Sequence, residues 1–155
     1  MFFSILFLIV IITVLFIIPL SFIHCINPIT FFDLLYQEIV TSFSEGKLKD
    51  IKSLLGKEVY DQFDQAVKDR KSKNLSSNTT FIGINSAEIK NHEQNKNMLE
   101  VTVEFVSEII SHIKDKENKT VSGDPEKIKK VHDIWKFSKD SRSVNPNWVL
   151  IDTQA

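Results

Sequence analysis

Asp133 is the residue of this chain whose type and setting come nearest to chemistry. It lies in the run Val131-His132-Asp133-Ile134-Trp135-Lys136-Phe137. Read as a strand, the run puts Asp133 on one face with Val131, Trp135 and Phe137. A carboxylate on an apolar concave face is pushed towards its neutral form and becomes a candidate base. Acid–base work would want a second group beside it, and none can be assigned to Asp133 from the strand alone. The expectation is that Asp133 stands at the rim of a sheet, solvated or paired with a lysine.

Other chemistries find less support. His24, His92, His112 and His132 include no i, i+4 pair on a helix, and Cys25 is the only cysteine. A multi-cysteine zinc site and an internal disulfide framework are thereby excluded, and no metal or cofactor is expected. His132 and Asp133, neighbours in a strand, point to opposite faces and cannot share one ion. There is no glycine-rich phosphate loop, nucleophile elbow or kinase signature in a chain with only 4 glycines. The clusters Lys68-Asp69-Arg70-Lys71-Ser72-Lys73 and Lys127-Ile128-Lys129-Lys130 are diluted with acids or isolated on short runs. They read as solvated ends, with attraction to anionic lipid as the alternative. A net charge of -1 over 155 residues argues against a general nucleic-acid binder.

The charge is unevenly placed. Met1 to Phe32 contains no Asp, Glu, Lys or Arg. As a helix, Phe2–Ile23 would reach roughly 33 Å, enough for a hydrocarbon core of about 30 Å. The run is too long, too poor in basic residues and too lacking in small residues near His24-Cys25 for a cleaved signal. A retained transmembrane anchor over 1–26 is expected, followed by a domain over 27–155. The first basic residue is Lys47, so the positive-inside rule gives no orientation.

The elements that would carry Asp133 follow from periodicity. Ile29, Phe32, Tyr36, Ile39, Val40 and Phe43 form one stripe of a helix, with Thr30 and Asp33 as a capping pair and Gly46 as its stop. The stripe would cover a sheet, or lie in a membrane interface with its aromatics at headgroup level. A second helix is expected over Lys47–Leu55 and a third over Lys57–Lys73. The period then changes to two. Strands are expected over Thr79–Lys90, Met98–Ile113, Ile128–Lys139 and Trp148–Asp152, with a bulge or bend near Val106 and Ile109-Ile110. Residues 114–127 read as a polar loop, with Gly123-Asp124-Pro125 as its turn. The plan is α+β: N-terminal helices on a bent four-stranded antiparallel sheet, preceded by one transmembrane helix.

Four stretches, LKDIKSLLGKEVYDQFDQAV, FIGINSAEI, VTVEFVSEIIS and DIWKFSKDSRSVNPNWVLIDTQA, resemble the Tim-44-like domain family over about Thr30 to Ala155. That family comprises the tether of the mitochondrial import motor and its bacterial membrane-anchored relatives. The resemblance implies a cone-shaped fold like nuclear transport factor two. It also implies a non-enzymatic scaffold or assembly role at an inner membrane, with the domain on the cytoplasmic or matrix side. Implied partners are anionic lipid such as cardiolipin, inner-membrane protein complexes and, in an alternative reading, the ribosome. Val103, Phe105, Trp135, Phe137 and Trp148 would wall the pocket, and Phe31, Phe32, Leu35, Tyr36 and Ile39 would form a membrane-contact helix. A ribosome-associated tether is the first alternative. A ketosteroid-isomerase-type enzyme is the second; it needs a buried acid with a tyrosine or second acid, and Tyr36 and Tyr60, both on helices, show no such pairing from sequence.

Overall fold

A computed structural model describes residues 28–144 and 147–154. The expected anchor, with Phe2 and Ile23, lies outside the described residues, as do Asn145 and Pro146 of the last turn. No helix among the described residues is long and apolar enough to cross a membrane.

Helix α1 (Pro28–Glu45) opens on a proline, whose missing N–H costs nothing in a first turn. It stops where the glycine signal places the stop. Gly46 takes φ 71°, its N–H donates to Phe43 O, and the Lys47 N–H donates to Ser42 O at 2.9 Å. Those two bonds make a Schellman cap. The glycine also allows close passage, since a Cβ there would lie 3.2 Å from Val67 Cγ1.

The expected second helix, Lys47–Leu55, is reduced to turns and one 3-10 turn, η1 (Lys52–Leu54). Leu55 bridges Leu150 in parallel, and the Gly56 N–H donates to Leu150 O at 2.7 Å. The backbone is thus drawn out to meet a strand before a helix can propagate. Leu48, Ile51 and Leu55 are still buried, as their spacing anticipates. Helix α2 (Lys57–Ser72) follows and ends in a second Schellman cap. Asn74 takes φ 52°, and Asn74 and Leu75 donate to Lys71 O and Arg70 O.

Four strands form an antiparallel meander: β1 (Ser76–Asn95), β2 (Met98–Lys114), β3 (Thr120–Asp140) and β4 (Val149–Gln154). The strands β1 and β3 are longer than their apolar alternation indicates, because most of their extra residues are polar and exposed. The β2–β3 reversal uses only Asp115–Lys119, where Asp115 Oδ1 accepts the N–H of Glu117 and of Lys119. Gly123-Asp124-Pro125 is therefore not the hairpin turn. It begins a bulge: Ile110 faces Ile128 and His112 faces Gly123, so Asp124–Lys127 stand opposite Ser111 alone. Gly123 has φ 77°, and a Cβ there would fall 2.3 Å from Ser111 O. The bulge expected near Ile109-Ile110 is thus present, its extra residues on β3. Further extra residues lie on β1 at Ile82 and Asn85, opposite the Ile109–Glu108 and Ser107–Val106 steps of β2, and at Lys90, with single-residue shifts at Val121 and Ile151.

α1 lies on the sheet. Tyr36 stacks on Phe105 with centroids 4.5 Å apart and meets Trp135 at 4.6 Å; Phe32 meets Phe137 at 4.9 Å and Trp148 at 5.6 Å. Each large apolar side chain so buried contributes about 1.5–3 kcal/mol relative to exposure. The amphipathic stripe is the cover of the sheet.

Candidate functional site

Three polar side chains meet in this aromatic core. The Tyr36 hydroxyl donates to Asp133 Oδ2 at 2.5 Å and lies 2.9 Å from Ser107 Oγ. A phenol has one proton, so the Ser107 hydroxyl is the donor in the second bond. The order is Ser107 to Tyr36 to Asp133. The sheet explains the meeting: Asp133 pairs with Phe105 and Val131 with Ser107, which places Asp133 and Ser107 on one diagonal of the inner face. Tyr36, on the buried stripe of α1, descends onto both.

Burial pushes the Asp133 carboxyl above its ordinary value, while the Tyr36 bond and the charges of His132 and Lys129 act against that rise. Burial and the bond to Asp133 together push the Tyr36 phenol well above its usual range. The phenol is therefore a fixed donor at any physiological pH. The expectation of a solvated or lysine-paired Asp133 is corrected: its partner is a tyrosine from α1. The sequence reading missed this pair because the two residues stand 97 positions apart. Two signals pointed to it, an acid in phase with Trp135 and a small polar residue, Ser107, in phase with Val103 and Phe105.

Asp133 opens onto a cleft of about 300 Å³ between the helices and the end of the sheet. Its walls are Ile39, Val40 and Phe43 of α1, Phe63 of α2, Trp135 of β3, and Thr153 and Gln154 of β4. Phe43 and Phe63 pack with centroids 4.5 Å apart. Arg70 holds that corner, donating from Nη2 to Phe43 O at 2.7 Å with its guanidinium over the Phe43 ring. A depression of about 380 Å³ at the β1–β2 turn is larger, but it is walled by polar side chains such as Asn95, Lys96 and Arg142. The apolar cleft is the better candidate, because it joins enclosure to a convergent polar group.

Of the five residues expected to wall a pocket, Trp135 does so. Val103, Phe105 and Phe137 form the fully buried floor beneath α1, and Trp148 packs on Phe32. Of the five residues expected on a membrane-contact helix, Phe32, Leu35, Tyr36 and Ile39 are buried against the sheet, and Phe31 is turned outward beside Leu34. Among the described residues no group of three or more His, Cys, Asp or Glu side chains could hold a metal ion.

Two helices on a four-stranded antiparallel meander, with a carboxylate facing an apolar cleft between them, define a small α+β domain. The chain belongs to the Tim44-like domain family, whose model matches residues 29–155. It is similar to the mitochondrial import inner membrane translocase subunit TIM44 of Rattus norvegicus, 21% identical over 119 residues, and to that of Mus musculus, 20% identical over 119 residues. Either match covers 76% of this chain and 26% of the relative, so the chain spans about a quarter of their length. Among solved structures, the intermembrane space region of chloroplast protein ARC6 superposes with a TM-score of 0.55 at 8% identity, covering 83% of this chain and 96% of that one. At that identity the likeness concerns the fold alone.

Proposed function

We propose that this domain is a non-enzymatic binding module of a single-pass inner-membrane protein, working as a scaffold or assembly factor beside a translocase-type complex. The observation that carries the reading is the family match over 29–155, together with similarity to a subunit of the mitochondrial inner-membrane translocase. The likeness to a nuclear-transport-factor-two cone belongs to this reading. It is supported by the meander of long bulged strands under one covering helix. Phe31 and Leu34, exposed on α1 just after the apolar run, would meet the headgroup region of an anionic, cardiolipin-bearing leaflet on the cytoplasmic or matrix side.

Crosslinking of the full chain in its native membrane, read by mass spectrometry, tests the role. Recovery of translocase, insertase or assembly proteins is expected. Recovery of ribosomal proteins alone would overturn it in favour of the ribosome-associated tether. Replacing Phe31 and Leu34 by serine should loosen the domain's contact with cardiolipin vesicles, read as a smaller vesicle-bound fraction in flotation.

The enzyme reading has one observation in its favour, the Tyr36–Asp133 pair. The arrangement nevertheless favours binding. The single phenolic proton is committed to Asp133, and Asp133 is the one carboxylate among the cleft's described walls. A carbonyl substrate would find no second acid to protonate its oxygen.

A further inference from the structure

We propose that the cleft is a site for an organic ammonium ion carried on an apolar body, with Asp133 as its counter-ion. Asp133 Oδ2 is taken by the Tyr36 hydroxyl, and among the described residues Oδ1 has no protein partner. The carboxylate thus faces a space walled chiefly by Ile39, Val40, Phe43, Phe63 and Trp135. The charges that act on it are those of His132, on the opposite strand face, and Lys129, and among the described residues neither is ion-paired with it. The walls from α2 and β4 are neutral, Phe63, Thr153 and Gln154, and the one cation α2 brings near, Arg70, is engaged with the Phe43 carbonyl and ring. A carboxylate left this way at an apolar wall is half of an interaction. An ammonium group supplies the other half by a charge-assisted hydrogen bond, and the aromatic Trp135 wall favours a nearby cation.

The geometry also selects among cations. A guanidinium pairs best with both oxygens of a carboxylate in a two-pronged fork, and Tyr36 occupies one of them. A monodentate ammonium needs only Oδ1. The volume, about 300 Å³, lies at the small end of ligand pockets and suits a body the size of a phenylalkyl or short branched alkyl group. The inference does not rest on the scaffold role and would stand without it.

The test uses the full chain in nanodiscs of zwitterionic lipid, with 2-phenylethylammonium, 2-phenylethanol, 3-phenylpropanoate and phenylethylguanidinium as probes. Binding is followed by titration calorimetry and by tryptophan fluorescence. The ammonium should bind about tenfold or more tighter than the alcohol, the carboxylate should not bind, and the guanidinium should trail the ammonium. Asp133→Asn keeps the shape and an oxygen for Tyr36 but removes the charge, so it should bring the ammonium down to the alcohol. Val40→Phe fills the cleft without touching Asp133 or Tyr36, and should abolish binding of both; this variant decides if Asp133→Asn does not fold. Equal binding of alcohol and ammonium by the unaltered chain, or ammonium binding that survives Val40→Phe, overturns the proposal.

Discussion

Tyr36 and Asp133, brought together across 97 positions, carry both a structural and an electrical consequence. Phenylalanine at Tyr36 would keep the ring stack on Phe105 but leave a half-buried carboxylate without its donor. Tyr36→Phe is expected to cost about 1–3 kcal/mol, read as a lower urea midpoint with an unchanged m-value. The pH dependence has a definite sign. Burial raises the Asp133 carboxyl, so the folded chain keeps that proton to higher pH than the unfolded chain, whose ordinary value is 3.8. Its contribution to stability is fully present below that ordinary value and is lost as pH rises through the folded one. Asp133→Asn should therefore gain on the unaltered chain from acid towards neutral pH. Denaturation curves that stay parallel across this range would refute the assignment. Half of this site was legible in sequence: the strand period put Asp133 beside Trp135, and the helix period put Tyr36 on the buried stripe. That the two stripes cross at these residues depends on where α1 lies along the sheet, which no local pattern encodes.

At the scale of elements, caps and close approaches decide where the chain departs from its periodicity. Both helix stops follow the left-handed cap, glycine at Gly46 and asparagine at Asn74. Leu48, Ile51, Leu54 and Leu55 satisfy a helical spacing equally well while wound in turns, so their spacing does not distinguish the two. What overrides the helix is the contact of Leu55 and Gly56 with Leu150. The length of β3 was hidden for another reason: Gly-Asp-Pro is turn chemistry, and here it serves a bulge inside a strand. Gly123→Ala is expected to cost more than about 1 kcal/mol, from the left-handed backbone and the collision with Ser111 O. The loss should be local, appearing as faster amide exchange in the far half of β2 and β3 while α1 and the Trp135 region stay protected. Uniform acceleration across the domain would contradict this.

At the scale of the molecule, one residue ties the beginning of the domain to its last strand. Leu150 is fully buried, faces Phe137 across the β3–β4 pairing, and offers its carbonyl to Gly56. Leu150→Ala is expected to cost about 2–5 kcal/mol in a single cooperative transition, with far-ultraviolet and tryptophan signals coinciding. Separated transitions would show that β4 is not part of the common core. The shortness of β4 has its own consequence. It pairs with Ile134–Ser138, so among the described residues no strand takes up the backbone amides and carbonyls that the run from Thr120 to Asp133 turns to that side. Unprotected, such a border is a template on which another extended chain can add and grow into an aggregate. Here the border is broken by the loop-out at Asp124–Lys127, which includes Pro125, and is flanked by Lys129 and Lys130. The same irregularity that disguises the strand in the sequence keeps neighbouring copies from zipping onto it in a crowded cell.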